Sequence, residues 1–234
     1  MDWEMRKGSG FGVQAGFFLN PDTLNPGFSD QGNMKTLDWM RFLELQQRQH
    51  GKALFRVAEL ANVTGHDPHA LNVELCRLVR KGVLARYATG VYGLPGRAAP
   101  EQLVAALDEG AYITGAYAMY CHNMITQRPE EIACFTNRRH NRSRERKTPF
   151  GRLVFIQVVP KIHCKPAAGV LAPPEQAFCD FVHLILRQGL EPSQIVTFSN
   201  LAGLSERRLS VLLKRYPPAV GRKGRQILAL SREG

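Results

Sequence analysis

Four cations, Arg77, Arg80, Lys81 and Arg86, fall within ten residues, and His69 and Asn72 precede them by one to two helical turns. The chemistry such a set can do is recognition of a polyanion. Lys and Arg neutralise phosphates, which positions a protein on nucleic acid without reading sequence. Asn can form a paired hydrogen bond with an adenine edge, and that does read sequence. The expected division is therefore His69 and Asn72 toward base edges, with Arg77, Arg80, Lys81 and Arg86 toward phosphates. A second concentration of charge is the segment 138–147, where Arg138, Arg139, Arg142, Arg144, Arg146 and Lys147 stand against one acid, Glu145. It fits a secondary nucleic-acid contact. It fits equally a solvated loop whose charge keeps a neighbouring strand edge from pairing with other chains.

No other set of residues assembles a recognisable reaction centre. Asp108, Glu109, Glu130, Glu131 and Asp180 are too scattered to suggest the clustered carboxylates of a metal-dependent nuclease. Gly8-Ser-Gly-Phe-Gly12 lacks the Lys and Ser/Thr of a phosphate loop, and no Gly-x-Ser-x-Gly elbow occurs. His122 and His163 read as ordinary core or surface histidines. The five cysteines are odd in number and widely spaced, and Cys121-His122 and His163-Cys164 lack zinc-finger spacing. They are expected to be small buried hydrophobes. The expectation is a protein without catalytic residues, metal or cofactor, and not an enzyme.

The elements that position the first cationic set can be followed from Met34. Leu37, Met40, Phe42, Leu43 and Leu45 predict a helix to about His50, broken by Gly51. Phe55 lies in a short extended piece, and Val57, Leu60 and Ala61 predict a second short helix closed by Thr64-Gly65. Asp67 is a good N-cap, with Pro68 at the first helical position, where a missing N–H does no harm. Leu71, Leu75, Leu78 and Val79 then share one face of a third helix; His69, Asn72, Val73, Cys76, Arg77 and Arg80 fall largely on the other. After Gly82, Val83–Tyr87 and Val91–Gly93 could pair around Ala88-Thr-Gly90 as a hairpin.

This order predicts an α+β protein: an N-terminal winged helix-turn-helix over 34–97, then a mixed α/β domain over 98–234. Residues 1–33, rich in Gly, Asn, Asp and Pro, are expected to form a disordered leader without function. Past a linker at 93–100, a helix is expected over 100–109 and a buried helix over 112–124. Strands follow at 131–136 and 153–159. Helices are expected at 175–187, 201–204 and 206–215, then a basic tail with Arg222, Lys223 and Arg225. The net charge is +11; by segment, 1–33 carries −2, 34–97 carries +5, 98–165 carries +4 and 166–234 carries +4. A basic body favours a polyanionic partner. No apolar run approaches the roughly 18 residues of a membrane span, and no signal peptide is evident, so a cytoplasmic protein is expected.

Three stretches, in this order, resemble the AbiEi-type antitoxin family of type IV toxin–antitoxin systems. The first is the end of the winged-helix segment, Leu78-Val-Arg-Lys-Gly82 with Gly90-Val-Tyr92. The second is Tyr112-Ile-Thr-Gly-Ala-Tyr-Ala-Met-Tyr-Cys-His122, similar to the family's Ser-x-x-Ala-Leu-x-x-His-Gly-Leu helix, with Thr114 at the serine position and Asn123-Met124 replacing Gly-Leu. The third is Ala172-Pro-Pro-Glu-Gln-Ala-Phe-Cys-Asp180, similar to Ala-Ser-Pro-Glu-Arg-Ala-Leu-Leu-Asp, with Pro173 and Gln176 as departures. The resemblance, over about 34–215, implies a transcriptional repressor that binds double-stranded DNA at repeats in its own promoter. It also implies functional pairing with a nucleotidyltransferase-like toxin, without a stable complex being required. The competing expectation is an RNA-binding or adaptor protein that uses the 138–147 segment.

Overall fold

The computed structural model describes residues 34–141 and 144–233; the expected leader over 1–33 lies outside them. The chain is mixed α+β with two small sheets. Its first part runs α1 (Thr36–His50), β1 (Leu54–Arg56), α2 (Val57–Thr64), α3 (Pro68–Arg80), β2 (Ala85–Ala88) and β3 (Val91–Gly93). Local chemistry accounts for the boundaries. The Asp38 carboxylate accepts from the Lys35 N–H at the start of α1, and Glu59 accepts from Arg56 N–H at the start of α2. Gly51 and Gly65 close the two helices in left-handed conformations that a Cβ would strain.

Each face of the first sheet, in order β1-β3-β2, has a different neighbour. Phe55 and Tyr92, paired across β1 and β3, join Trp39, Leu43, Leu60, Leu71, Leu75 and Leu78 in a core with the three helices. On the opposite face, Leu54, Tyr87, Ala88 and Val91 pack with Leu103, Ile113, Ile132, Leu153 and Phe155 from later in the chain. The Tyr87 ring stacks on Phe150 at 5.6 Å, and Arg56 Nε donates to Ala106 O at 2.8 Å. The small sheet is thus sealed between its own helices and the second part of the chain.

One expected feature of α1 is corrected. Leu37 and Met40 are exposed, while Trp39, Phe42, Leu43 and Gln46 form the buried stripe. This is the i, i+3, i+4, i+7 row of a helix, with a glutamine standing where an apolar residue would have marked it.

The second part begins with α4 (Pro100–Leu107) and builds a sheet from β4 (Tyr112–Thr114), β5 (Glu131–Thr136), β6 (Glu145–Thr148) and β7 (Gly151–Gln157), ordered β4-β5-β7-β6. The stretch 112–124, expected as one helix, is β4 followed by α5 (Gly115–Cys121). Gly115 turns the chain between them with φ +65°, and β4 pairs with β5 through Tyr112↔Phe135 and Ile113↔Cys134. Strand β5 runs parallel to β7, and β6 runs antiparallel to β7 on its far side. The segment between β5 and β6 must therefore cross the end of β7. This corrects the picture of 138–147 as one loop: its last three residues, 145–147, belong to strand β6.

Helices α5 and α6 (Pro174–Arg187) cover the other face of the sheet, packing Ala118, Met119, Phe178, Phe181 and Val182 around Tyr112 and Phe135. The chain ends in α7 (Pro192–Ile195), a 3-10 turn (Leu201–Gly203), α8 (Glu206–Leu213) and α9 (Pro218–Glu233). The expected helix at 201–204 is only that short turn. The expected basic tail is instead α9: Pro218 begins it at a position where proline is compatible with a helix, and Gly224 lets its backbone approach the Phe178 ring.

Candidate nucleic-acid interface

Helix α3 is fixed by its cap and by one row of leucines. The Asp67 carboxylate accepts from the backbone N–H of His69 at 2.9 Å and of Ala70 at 3.1 Å. Leu71, Leu75 and Leu78 are buried, and Glu74 accepts a 2.7 Å hydrogen bond from the indole of the buried Trp39. These contacts fix the rotation of the helix. The face left outward carries His69, Asn72, Val73, Cys76, Arg77 and Arg80, all exposed.

Of the six residues expected to carry the contact, His69, Asn72, Arg77 and Arg80 lie on α3, Lys81 at its end and Arg86 on β2. Arg86 pairs with Tyr92 across β2 and β3, and antiparallel partners share a sheet face, so Arg86 lies on the face where the helices sit. Lys81 caps α3 and is exposed. Among the described residues none of Arg77, Arg80, Lys81 and Arg86 is held in an ion pair, so their charge is free to act outward. Asn72 is partly engaged: its Nδ2 donates to Pro68 O at 2.8 Å, one turn back. A paired bond to a base would use Oδ1 and the other amide hydrogen, or would exchange that internal bond. Val73, 44% exposed beside Asn72, adds an apolar side chain to this face, of a kind that suits a thymine methyl.

The second cationic set is divided by the fold. Arg138, Arg139, Arg144 and Lys147 are exposed. Arg146 differs: its guanidinium lies over the Phe155 ring at 5.9 Å, and its Nε is buried without a partner among the described residues. Burial lowers its pKa from the ordinary value. Arg146 is thus partly packed against the sheet, half-buried where the other described cations of the set are exposed. Arg142 lies outside the described residues. Strand β6 lies against β2, so this set neighbours the hairpin that carries Arg86.

Two buried carboxylates, neither singled out as functional by sequence, organise the second part. Asp180 of α6 is fully buried, and accepts from Thr114 Oγ1 at 2.6 Å, Tyr216 OH at 2.6 Å and Tyr112 OH at 3.3 Å. Desolvation pushes its pKa up to about 7, against those hydroxyl donors, which pull it down. Asp108 ends α4 and accepts from Thr136 Oγ1 at 2.5 Å, Gly110 N–H at 2.9 Å and His140 Nε2 at 2.9 Å. Desolvation opposes ionisation here too, but the hydrogen bonds outweigh it and hold the carboxyl below its ordinary value.

The remaining histidines and cysteines are distributed as follows. The His122 and His163 rings donate to backbone carbonyls, of Ala172 at 2.7 Å and Gly110 at 2.9 Å. Cys134 and Cys179 are buried as expected, whereas Cys76 and Cys121 are exposed. Among the described residues no helix is long and apolar enough to cross a membrane. No family model matches this chain, and no curated protein resembles it significantly in sequence.

Proposed function

We propose that this protein is a cytoplasmic DNA-binding transcriptional repressor of the AbiEi antitoxin kind. Its residues 34–97 would act as a winged helix that binds operator repeats in duplex DNA. The observation that carries the reading is the outward face of α3: a capped helix, locked in rotation by its leucines, presents His69, Asn72, Arg77 and Arg80 with no ion pair to them among the described residues. In such a unit the third helix enters the major groove with its N-terminal half toward the bases. His69 and Asn72 lie in that half. Arg77, Arg80, Lys81 and, on the hairpin, Arg86 then engage phosphates. The counterpart would be a nucleotidyltransferase-like toxin encoded alongside, counteracted without a stable complex.

Selection from a random duplex library tests the proposal. A recurrent motif should be enriched, and Asn72→Ala should erode discrimination between that motif and random DNA. Equal losses on both would remove Asn72 from base reading. Tighter binding to structured RNA than to any duplex would favour the second reading, an RNA-binding or adaptor role. What favours that reading is the exposed group Arg138, Arg139, Arg144 and Lys147, carried by the second part of the chain and not by α3.

A further inference from the structure

One face of α8 gathers charge that the helix itself does not need. Val211, 59% exposed, has a cation at each neighbouring position one turn away: Arg207 and Arg208 before it, Lys214 and Arg215 after it. All four are exposed. Arg207 and Arg208 stand in the first turn, where the helix dipole disfavours positive charge. Among the described residues only Arg208 has an ion pair, its Nη1 lying 3.9 Å from Glu175 Oε1. Stability alone gives no reason for this arrangement.

The same face forms one wall of an open groove of about 530 Å³, a size within the roughly 300–1,000 Å³ of binding sites in general. Arg207, Arg208, Val211 and Leu212 line it from α8, and Pro173 and Gln176 from the start of α6. Its one acid, Glu175, is buried, accepts from the Ser205 N–H at 3.1 Å and lies beside Arg208, so that its charge is met from within. Gln176 is buried too, and its amide donates to Cys164 O at 2.6 Å. What the groove leaves unmet is the charge of Arg207 and the apolar surface of Val211, Leu212 and Pro173. Lys214 and Arg215 continue the charge past its end.

A phosphate backbone would meet these cations and leave the apolar surface wet. A peptide segment with carboxylates around one large apolar side chain satisfies both. Its carboxylates can take paired bonds from Arg, and its apolar side chain removes Val211 and Leu212 from water. Excluding that water also strengthens the surrounding ion pairs.

We propose that the α6–α8 groove is a docking site for an acidic, apolar-centred segment of a partner protein. Val211 is its apolar contact, and Arg207, Arg208, Lys214 and Arg215 face its carboxylates. Among the described residues none of 34–97 lines the groove, so the proposal does not rest on the DNA reading.

The test is selection of random displayed peptides on the full chain, followed by anisotropy titration of the enriched sequences as labelled synthetic peptides. Enriched peptides should carry Asp or Glu on both sides of a Leu, Met or Phe. Each exposed ion pair contributes up to about fivefold in affinity, so R207A/K214A/R215A should weaken binding by about 10- to 100-fold. Val211→Asp, which removes the apolar contact and adds a like charge, should weaken it by about tenfold. Both variants alter exposed positions only, and parental urea midpoints would show that they fold. R77A/R80A, on the opposite part of the chain, should bind the peptides as the parent does.

Enrichment of neutral or basic peptides overturns the proposal. So does parental peptide affinity in both groove variants, which would place the contact elsewhere. A poly-glutamate peptide that binds as tightly as the enriched sequences would reduce the face to plain charge attraction and refute the docking site. If no peptide is enriched and R207A/K214A/R215A instead flattens the salt slope of duplex binding, the face serves nucleic acid and the proposal fails. It fails equally if sedimentation shows a dimer of this chain that Val211→Asp dissociates, because the occupant is then a second copy.

Discussion

Replacing Asp180 by Asn should remove part of the pH dependence of stability in this protein. Asp180 is buried among Tyr112, Thr114 and Tyr216 with no cation in hydrogen-bonding reach among the described residues, and its pKa is pushed up to about 7. A carboxyl whose folded pKa exceeds its unfolded value binds its proton more tightly in the folded state. Its contribution is therefore greatest below the unfolded pKa, near 4, and is lost as pH rises toward the folded value. Linkage between pKa values of about 4 and about 7 gives a loss of roughly 3 kcal/mol from about pH 5 to about pH 8. Asparagine cannot titrate, so Asp180→Asn removes that loss. It also turns one acceptor into a donor toward hydroxyls now donating to it, a penalty of about 1–3 kcal/mol that does not depend on pH. The variant should thus be less stable near pH 5 and close to the parent, or above it, near pH 8. Asp108 titrates below this window, and the burial of His183, which lowers its pKa, acts alike in both proteins. Urea unfolding of both proteins across the window is the assay. Parallel stability curves would refute the reasoning, since they would mean that Asp180 ionises in the fold as easily as in the unfolded chain.

Three further outcomes are expected. Arg77→Ala with Arg80→Ala should flatten the salt slope of duplex binding by about 1.8, some tenfold less affinity lost between 50 and 200 mM salt; an unchanged slope in an anisotropy titration would take α3 out of the interface. Cys76 and Cys121 are both exposed, but only Cys76 lies on the α3 face, so duplex DNA should slow maleimide labelling of Cys76 and not of Cys121 by peptide mass spectrometry. Equal labelling with and without DNA at Cys76 would count against the proposed docking face. A Cβ at Gly93 would fall 2.2 Å from Ala53 O, so Gly93→Ala should force β1 from β3 and destabilise the fold by about 2 kcal/mol or more, read as a lowered urea midpoint; a parental midpoint would show that the pair tolerates separation.

What was legible in the sequence is what local chemistry writes. Helix α3 declared itself through Asp67-Pro68 and its leucine row, and the hairpin through Gly82 and Gly90; both stand where expected. The cations at 77–86 needed only neighbours in sequence to be found. Failures began where a partner distant in sequence decides the structure. Tyr112–Cys121 is apolar and small enough for a helix, and only pairing with β5 makes its first residues a strand. Glu145–Thr148 shows no alternation of apolar residues because it is an edge strand, specified by β7 beside it. The segment with Arg222, Lys223 and Arg225 was expected as a basic tail, although a proline at the first helical position, Pro218, suits the start of α9.

The buried carboxylates show the same limit in its sharpest form. Asp180 stood in the sequence as the end of a motif, and its three donors lie 36, 66 and 68 positions away. Asp108 meets His140 across 32 positions, and the histidine sits unmarked among arginines. A surface cation acts through its own charge, so composition and spacing disclose it. A buried polar group acts only through what satisfies it, because unsatisfied it would destabilise the fold. Surface charge is therefore readable before the fold is known, while buried polar groups become visible only once the chain has folded around them.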